Sequence, residues 1–366
     1  MQSVQRVTSL AIHPGQARSL HLTSIDLPSV GDEDVQVRMI RAGICGTDRE
    51  LIAGHFGKGP EGSHELVIGH ELLGIIESAG KDVVGFGPGD LVVATARRGC
   101  GCPACEAGES DFCSAHGYKE RGITGLHGYY TERFVESFRN LVLVPHSIEK
   151  TGVLAEPLSV PHKAWRVANG VQSRIRSWNP KTAVVYGAGP IGLLATLALR
   201  ARGLDVYTFD IKSAPNVSQE ITERCGATYV CTADRGVESL KAELPSVDVI
   251  IECTGSTAPL ASAMQLLGNN GVLVLLSGTG GKVERTFPAD VINRQFVGGN
   301  KVMVGSVNSS LADFQAAIND LQLFDELWPG LAESMITHRI PGLEAAIDLE
   351  RFAEEAVKAV IEISPS

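Results

Sequence analysis

Hydrophobic and polar positions alternate over Val35-Gln-Val-Arg-Met-Ile40, the period of a half-buried strand. Leu72 to Ser78 and Asp90 to Ala94 read as further strands, punctuated by Gly80 and by Gly85-Phe-Gly-Pro-Gly89. Short strands with glycine-rich turns suggest a small barrel or strongly bent sheet. Arg97 to Gly128 is turn-rich and reads as an excursion from it, and Leu154 to Asn169 as a helix. After Pro180 the rhythm changes. Thr182–Tyr186, Asp205–Phe209, Val247–Ile251 and Gly271–Leu276 are strand-like apolar runs. Between them, Ile191–Arg202, Ile221–Cys225 and Pro259–Leu267 read as helices. Alternation of this kind predicts an α/β fold with a parallel sheet covered on both faces. From Ala312 the tail is helical, then strand-like over Ala359–Ile363.

The 366 residues are too many for one ordinary core and suit two domains. A net charge of -10 with no basic stripe argues against a nucleic-acid partner. No run of 18 apolar residues is present, so no transmembrane helix is expected. Met1 to Leu10 lacks an apolar signal core, which points to a cytoplasmic rather than a secreted chain.

Val184-Val-Tyr-Gly187-Ala188-Gly189-Pro190-Ile191-Gly192 places a Gly-x-Gly-x-x-Gly triplet between an expected strand and an expected helix. Gly187 suits a tight turn, Gly189 lets backbone approach a pyrophosphate, and Gly192 lets the helix pack on the strand. The helix N-terminus offers free N–H groups to phosphates. Asp210 ends the next strand at the distance the motif requires. A carboxylate there accepts from a ribose 2′-hydroxyl and repels a 2′-phosphate, so NAD is favoured over NADP. Lys212 nearby could soften that preference, or be only a solvated lysine. The bland alternative for the triplet is a glycine-rich helix start in another α/β protein.

Eight cysteines are unevenly spread. Cys100, Cys102, Cys105 and Cys113 fall in one turn-rich loop, a ligand set for a structural zinc that would supply folding energy the loop lacks. An iron–sulfur centre or free thiols are the alternatives. A dispersed set, Cys45, His70, Glu71 and Glu156, lies at element ends beside glycine or proline. Three protein ligands and one open position make a catalytic zinc. Taken singly, His70 is an ordinary partly buried histidine and Glu156 an ordinary helix-start carboxylate.

Gly69-His70-Glu71-Leu-Leu-Gly74 through Gly80-Lys-Asp-Val83 resembles the zinc-alcohol-dehydrogenase signature of the medium-chain dehydrogenases. A narrower resemblance is to the archaeal-type glucose 1-dehydrogenases. It rests on Arg97-Arg98, Glu120-Arg-Gly-Ile-Thr-Gly-Leu-His-Gly128, Leu154-Ala-Glu156-Pro157, Asn300-Lys301 and Gly305-Ser-Val-Asn308. The resemblance implies a GroES-like bent β-barrel catalytic domain at 1–178, a Rossmann dinucleotide-binding domain at 179–305, and a return to the catalytic domain at 306–366. It implies that Cys45, His70, Glu71 and Glu156 surround a catalytic zinc, with Thr47 near the reacting hydroxyl. Glu120, Glu156 and Asn308 become sugar-contacting groups. Cofactor contacts are implied from Ala188 to Ile191, at Asp210, Ile211 and Lys212, at Leu276, Ser277 and Gly278, and at Ser306, Val307 and Asn308.

The implied activity is oxidation of an aldose at C1, D-glucose to gluconolactone, with NAD or NADP. The same chemistry on galactose, another aldose, a polyol or a secondary alcohol is the alternative. A non-catalytic NAD-binding redox sensor and a metal-free quinone reductase are distant ones, and the latter should lack Cys45, His70 and the cysteine loop. A homo-oligomer, dimer or tetramer, is implied, with Asn269 to Val307 as the region to inspect. The chain departs from the family pattern at Gly101, which alone separates the first two loop cysteines, and at Ala96, Val160 and Gly298, where sugar enzymes carry polar residues.

Overall fold

The computed structural model describes residues 5–233, 235–279, 281–349, 352 and 356–363. Part of the 1–10 leader reading and part of the 306–366 segment therefore lie outside the described residues. The chain forms two compact units: Met1–Glu156 with Asn308–Gln322 and Ala332–Ser366, and Pro157–Val307 with Leu323–Leu331.

The first unit is built around the long strand Asp34–Ile44. One edge pairs antiparallel with Glu71–Ala79. The other pairs with Arg133–Ser137 along its first half and with Lys358–Glu362 along its second. Leu91–Ala94, Leu141–Val144 and Ile336–Pro341 complete a seven-stranded sheet. The alternation read from the sequence holds to Arg38; Met39 and Ile40 are then both buried, because the strand's end is covered on both faces. A second sheet orders His21–Asp26, Arg6–Ile12 and Leu66–Val67. The sequence reading missed this N-terminal hairpin. Ser9 breaks its apolar pattern yet is fully buried, its hydroxyl satisfied by Thr131 Oγ1 at 2.8 Å. The 97–128 excursion carries its own small sheet of Arg97–Arg98, Lys119–Arg121 and Gly125–Leu126.

Arg98, Arg121 and Asn140 converge on the buried carboxylate of Glu136, at 2.5, 3.0 and 2.8 Å. Burial raises its pKa, but the two guanidinium groups hold it below the ordinary carboxylate value. A depressed carboxylate contributes stability that is full above its unfolded pKa and lost as pH falls through the folded one. Glu136→Gln is therefore expected to cost about 2 kcal/mol at neutral pH. The gap to wild type should close as urea unfolding is repeated at acidic pH.

The second unit holds a six-stranded, all-parallel sheet in the order Thr228–Cys231, Asp205–Asp210, Thr182–Tyr186, Val247–Glu252, Leu267–Leu275, Val302–Gly305. In chain order this is 3-2-1-4-5-6, the doubly wound dinucleotide-binding arrangement. The α/β expectation is borne out. The helix expected from Ile221 starts earlier, at Val217, because the Asn216 side chain caps it by accepting from Gln219 N at 2.9 Å. Among the described residues no helix is long and apolar enough to cross a membrane.

Candidate active site

Cys45 follows the central strand and opens the helix Gly46–Ile52. Its backbone N–H donates to Asp48 Oδ2 at 2.9 Å, and the Tyr130 hydroxyl donates to the same oxygen at 2.9 Å. Asp48 and Tyr130 are both fully buried, so they lock the turn that aims Cys45. Thr47 lies half-exposed on the first turn of that helix. His70 is placed by Gly69, at φ +87°, where a Cβ would sit 2.2 Å from the Tyr130 ring; only glycine admits both the angle and the approach.

Cys45 Sγ lies 3.4 Å from His70 Nε2. One ligand atom each of Cys45, His70 and Glu71 lies within 4.8 Å of the others. Glu71 reaches in because Gly43, opposite it in the sheet, has no side chain: a Cβ there would be 1.9 Å from Glu71 Oε2. Lys358 Nζ meets the same carboxylate, 2.6 Å from Oε1, and also donates to Ile44 O at 2.9 Å. That ion pair is buried, at 1% and 2% side-chain exposure. Glu156 is not one of the three converging residues. It starts the helix Ala155–Gln172 within electrostatic reach of His70 and Glu71.

Burial pushes the Cys45 thiol up, and Asp48 adds to this against His70. Burial opposes charge on His70, yet Cys45, Glu156 and Asp48 hold its pKa well above the ordinary value. Burial lifts Glu156 to about 7, with His70 pulling down and Glu71 pushing up. Four groups that ionise to anions thus crowd round two cationic side chains, and a divalent cation is what would balance them. Tetrahedral zinc with sulfur at ~2.3 Å and nitrogen at ~2.05 Å sets an S···N edge of about 3.6 Å, close to the Cys45–His70 separation. Thiolate, imidazole and carboxylate fit that ion in chemistry and spacing.

The four loop thiols converge with sulfur separations of 3.5 Å (Cys100–Cys113), 3.6 Å (Cys102–Cys105) and 3.8 Å (Cys102–Cys113). These are far longer than a disulfide bond. They match the ~3.8 Å edge of a tetrahedron with ~2.3 Å zinc–sulfur bonds. The Cys105 backbone amide draws the Cys102 thiol down to about 6, whereas, against a hydrogen bond from the Cys100 backbone, burial and the neighbouring thiols push Cys105 up to about 11.

Glu120 and Asn308 come together: Asn308 Nδ2 and Arg97 Nε each donate to Glu120 Oε1 at 2.9 Å. The Arg97 guanidinium stacks 3.8 Å over the Tyr118 ring. Gly122, in the turn after Glu120, packs against the backbone of Gly69, so this pair belongs to the surroundings of His70.

In the second unit, Gly187 takes φ +98° and donates to Phe209 O at 2.8 Å. A Cβ at Gly192 would fall 1.7 Å from Gly187 O, so the helix Pro190–Ala201 can approach the strand only with glycine there. Gly189, the N-cap, faces open space: nothing lies within 4 Å of its missing Cβ. The turn leaves open space beside the helix N-terminus, where free backbone N–H groups could meet a phosphate. Asp210 Oδ2 accepts from Ala188 N at 2.8 Å and Oδ1 from Lys212 N at 3.0 Å, fixing the carboxylate beside the glycine turn. Ile211 and Lys212 are exposed. Leu276, Ser277 and Gly278 follow the fifth strand, and Ser306 and Val307 follow the sixth, at the ends where this topology receives a ligand.

Lys358, Asp48 and Tyr130 escaped the sequence reading. Lys358 carried a signal, a lysine heading the apolar strand Lys358-Ala-Val-Ile.

Residues 31–146 match the alcohol dehydrogenase GroES-like domain, and residues 149–363 match the glucose dehydrogenase C-terminus. The chain is 41% identical to a glucose 1-dehydrogenase of Methanocella arvoryzae, covering 96% of this chain and 98% of that one. Haloferax mediterranei glucose dehydrogenase, solved in complex with NADP, Zn and gluconolactone, is 31% identical with a TM-score of 0.86, over 98% of this chain and 100% of the other. Galactitol-1-phosphate dehydrogenase from Escherichia coli shares the fold, at 23% identity, a TM-score of 0.80 and coverage of 97% and 99%. With both halves matched and a relative alike over its full length, the chain belongs to the glucose 1-dehydrogenase family of the zinc-containing medium-chain alcohol dehydrogenases.

Proposed function

We propose that the protein oxidises the C1 hydroxyl of an aldose, D-glucose first, to the lactone, passing the hydride to NAD. The observation that carries this reading is the convergence of Cys45, His70 and Glu71 within 4.8 Å. The Haloferax mediterranei complex with gluconolactone supports the choice of sugar. Cys45, His70, Glu71 and Glu156 would hold the catalytic zinc, and Cys100, Cys102, Cys105 and Cys113 the structural one. Zinc supplies a Lewis acid that favours the alkoxide of a bound hydroxyl, and NAD supplies the hydride acceptor.

Thr47 is two residues from Cys45 and is proposed to take the hydroxyl proton outward. Glu120, its carboxylate fixed by Arg97 and Asn308, would accept from a sugar hydroxyl, and Asn308 and Glu156 would contact others. Sites built for hydroxyls reject analogues that lack them. Residues 187–192 would cradle the pyrophosphate. Asp210 with Ile211 and Lys212 would bind the adenosine ribose, and Leu276–Gly278 and Ser306–Asn308 the remainder. These roles divide the chain into a catalytic domain at 1–178, a nucleotide domain at 179–305 and a return segment at 306–366. A cytoplasmic homo-oligomer completes the reading.

The experiment is NAD(P)H formation on a panel of aldoses, polyols and simple alcohols, with and without chelator. Glucose is expected to be used best and activity to vanish with chelator. NAD should exceed NADP by at least about tenfold in kcat/KM, some 1.4 kcal/mol. Turnover of secondary alcohols but of no aldose, or indifference to chelator, contradicts the assignment.

A further inference from the structure

A third cluster of metal-ligating side chains lies on the N-terminal sheet, apart from the residues discussed so far. His13 immediately follows the central strand Arg6–Ile12, His21 opens the strand beside it, and Glu65 immediately precedes Leu66–Val67 on the other edge. The register, Ala11 opposite both His21 and Val67, and Ile12 opposite Leu66, brings the three to one end of the sheet. One ligand atom from each lies within 4.8 Å of the others. The imidazole rings stack at 4.8 Å between centroids.

The surroundings are arranged as they are around metal-binding histidines. Such a histidine gives its second ring N–H to a backbone carbonyl, which fixes the tautomer and leaves the other nitrogen free for the ion. His21 Nδ1 lies 2.7 Å from Ser19 O, and His13 Nδ1 lies 3.4 Å from His64 O. His21 Nε2 then points at Glu65 Oε1, at 3.1 Å. That separation is close to the ~3.3 Å edge of a tetrahedron with bonds of ~2.0 Å. Glu65 is oriented in turn, because the Thr23 hydroxyl donates to Oε2 at 3.0 Å. The connecting turn is pinned by Ser19, whose Oγ accepts from His13 N at 3.0 Å and donates to Gln16 O at 2.8 Å. All three ligands are half-buried, open enough for an ion to enter.

We infer that His13, His21 and Glu65 form a binding site for a divalent transition cation of the zinc or nickel class, separate from the two zinc positions of the proposed enzyme. Two imidazoles and one carboxylate suit those borderline cations, and a fourth position remains for water. The bound cation would crosslink the 13–21 turn to the strand that begins after Glu65.

Titration calorimetry of the purified holoenzyme with zinc sulfate, and separately with nickel sulfate, tests this. One further equivalent per chain should bind beyond the metal already retained. His21→Gln and Glu65→Gln should each weaken it at least about tenfold. His13→Gln, at the turn, gives a third variant should either of the others fold poorly. Glucose turnover and retained metal content should stay at the wild-type level in all three. A wild-type chain that takes up no further equivalent, or variants that bind it as tightly as wild type, would overturn the site. Neither outcome bears on the catalytic reading, because the readout is metal uptake away from Cys45.

Discussion

Cys45→Ala is expected to lower kcat for aldose oxidation at least about 1,000-fold, equivalent to ~4 kcal/mol of lost transition-state stabilisation. Affinity for NAD should stay within about twofold by fluorescence titration, well under 1 kcal/mol. The two effects separate because of where the residues lie. Cys45 belongs to the first unit, at the junction of the central strand and the helix Gly46–Ile52. The glycine turn and Asp210 belong to the second. Removing the thiol takes away one side of the 3.4 Å Cys45–His70 pair and leaves the glycine turn intact. His70→Ala should behave alike. Full activity in either variant would refute the catalytic role given to this cluster, and loss of NAD binding would show that the variant had misfolded.

Lys358→Met is expected to destabilise the protein by about 3–5 kcal/mol, the usual cost of leaving half of a buried ion pair. Lys358 and Glu71 are almost wholly excluded from solvent, and the carboxylate lies over Gly43, away from water that could replace the lost ammonium. Burial disfavours the lysine cation, but Glu71 and Cys45 more than compensate, so its pKa lies above the ordinary value. The same change frees Glu71 to turn toward a bound cation, so zinc should recover part of the loss. The double variant Glu71→Gln, Lys358→Met should recover most of it without zinc, because it leaves no unpaired charge. Urea unfolding with and without added zinc measures both. Equal destabilisation by the single and double variants would mean that packing, not charge, is what Lys358 contributes.

The nucleotide-binding half was legible from local pattern. The four inner strands there are short apolar runs, so the glycine triplet, the acidic strand end and the parallel sheet follow from neighbours in the chain; the part-exposed edge strands Thr228–Cys231 and Val302–Gly305 carry too little buried pattern to be read the same way. The first unit was less legible because its determinants are distant in sequence. Lys358 meets Glu71 across 287 positions, and Asn308 meets Glu120 across 188. The first of these pairings has no local period to betray it. Family resemblance singled out both members of the second, without saying that they touch. The N-terminal hairpin was missed for the opposite reason: a satisfied buried hydroxyl at Ser9 disguises an inward-facing position as a polar one. All four dispersed ligand candidates could be named as types, but the convergence of Cys45, His70 and Glu71 depends on Gly43, Gly69 and Tyr130. The requirement at these positions is for space and backbone angle, and it shows only in three dimensions.

The central claim is that one zinc ion is gripped by the Cys45 thiolate, the His70 imidazole and a carboxylate. Anomalous diffraction from crystals of the purified protein, recorded on either side of the zinc absorption edge, tests it most directly. The account predicts one peak at about 2.3 Å from Cys45 Sγ and ~2.0–2.1 Å from His70 Nε2, and another amid Cys100, Cys102, Cys105 and Cys113. A zinc-replete, catalytically active crystal with density in the cysteine loop and none between Cys45 and His70 would contradict it.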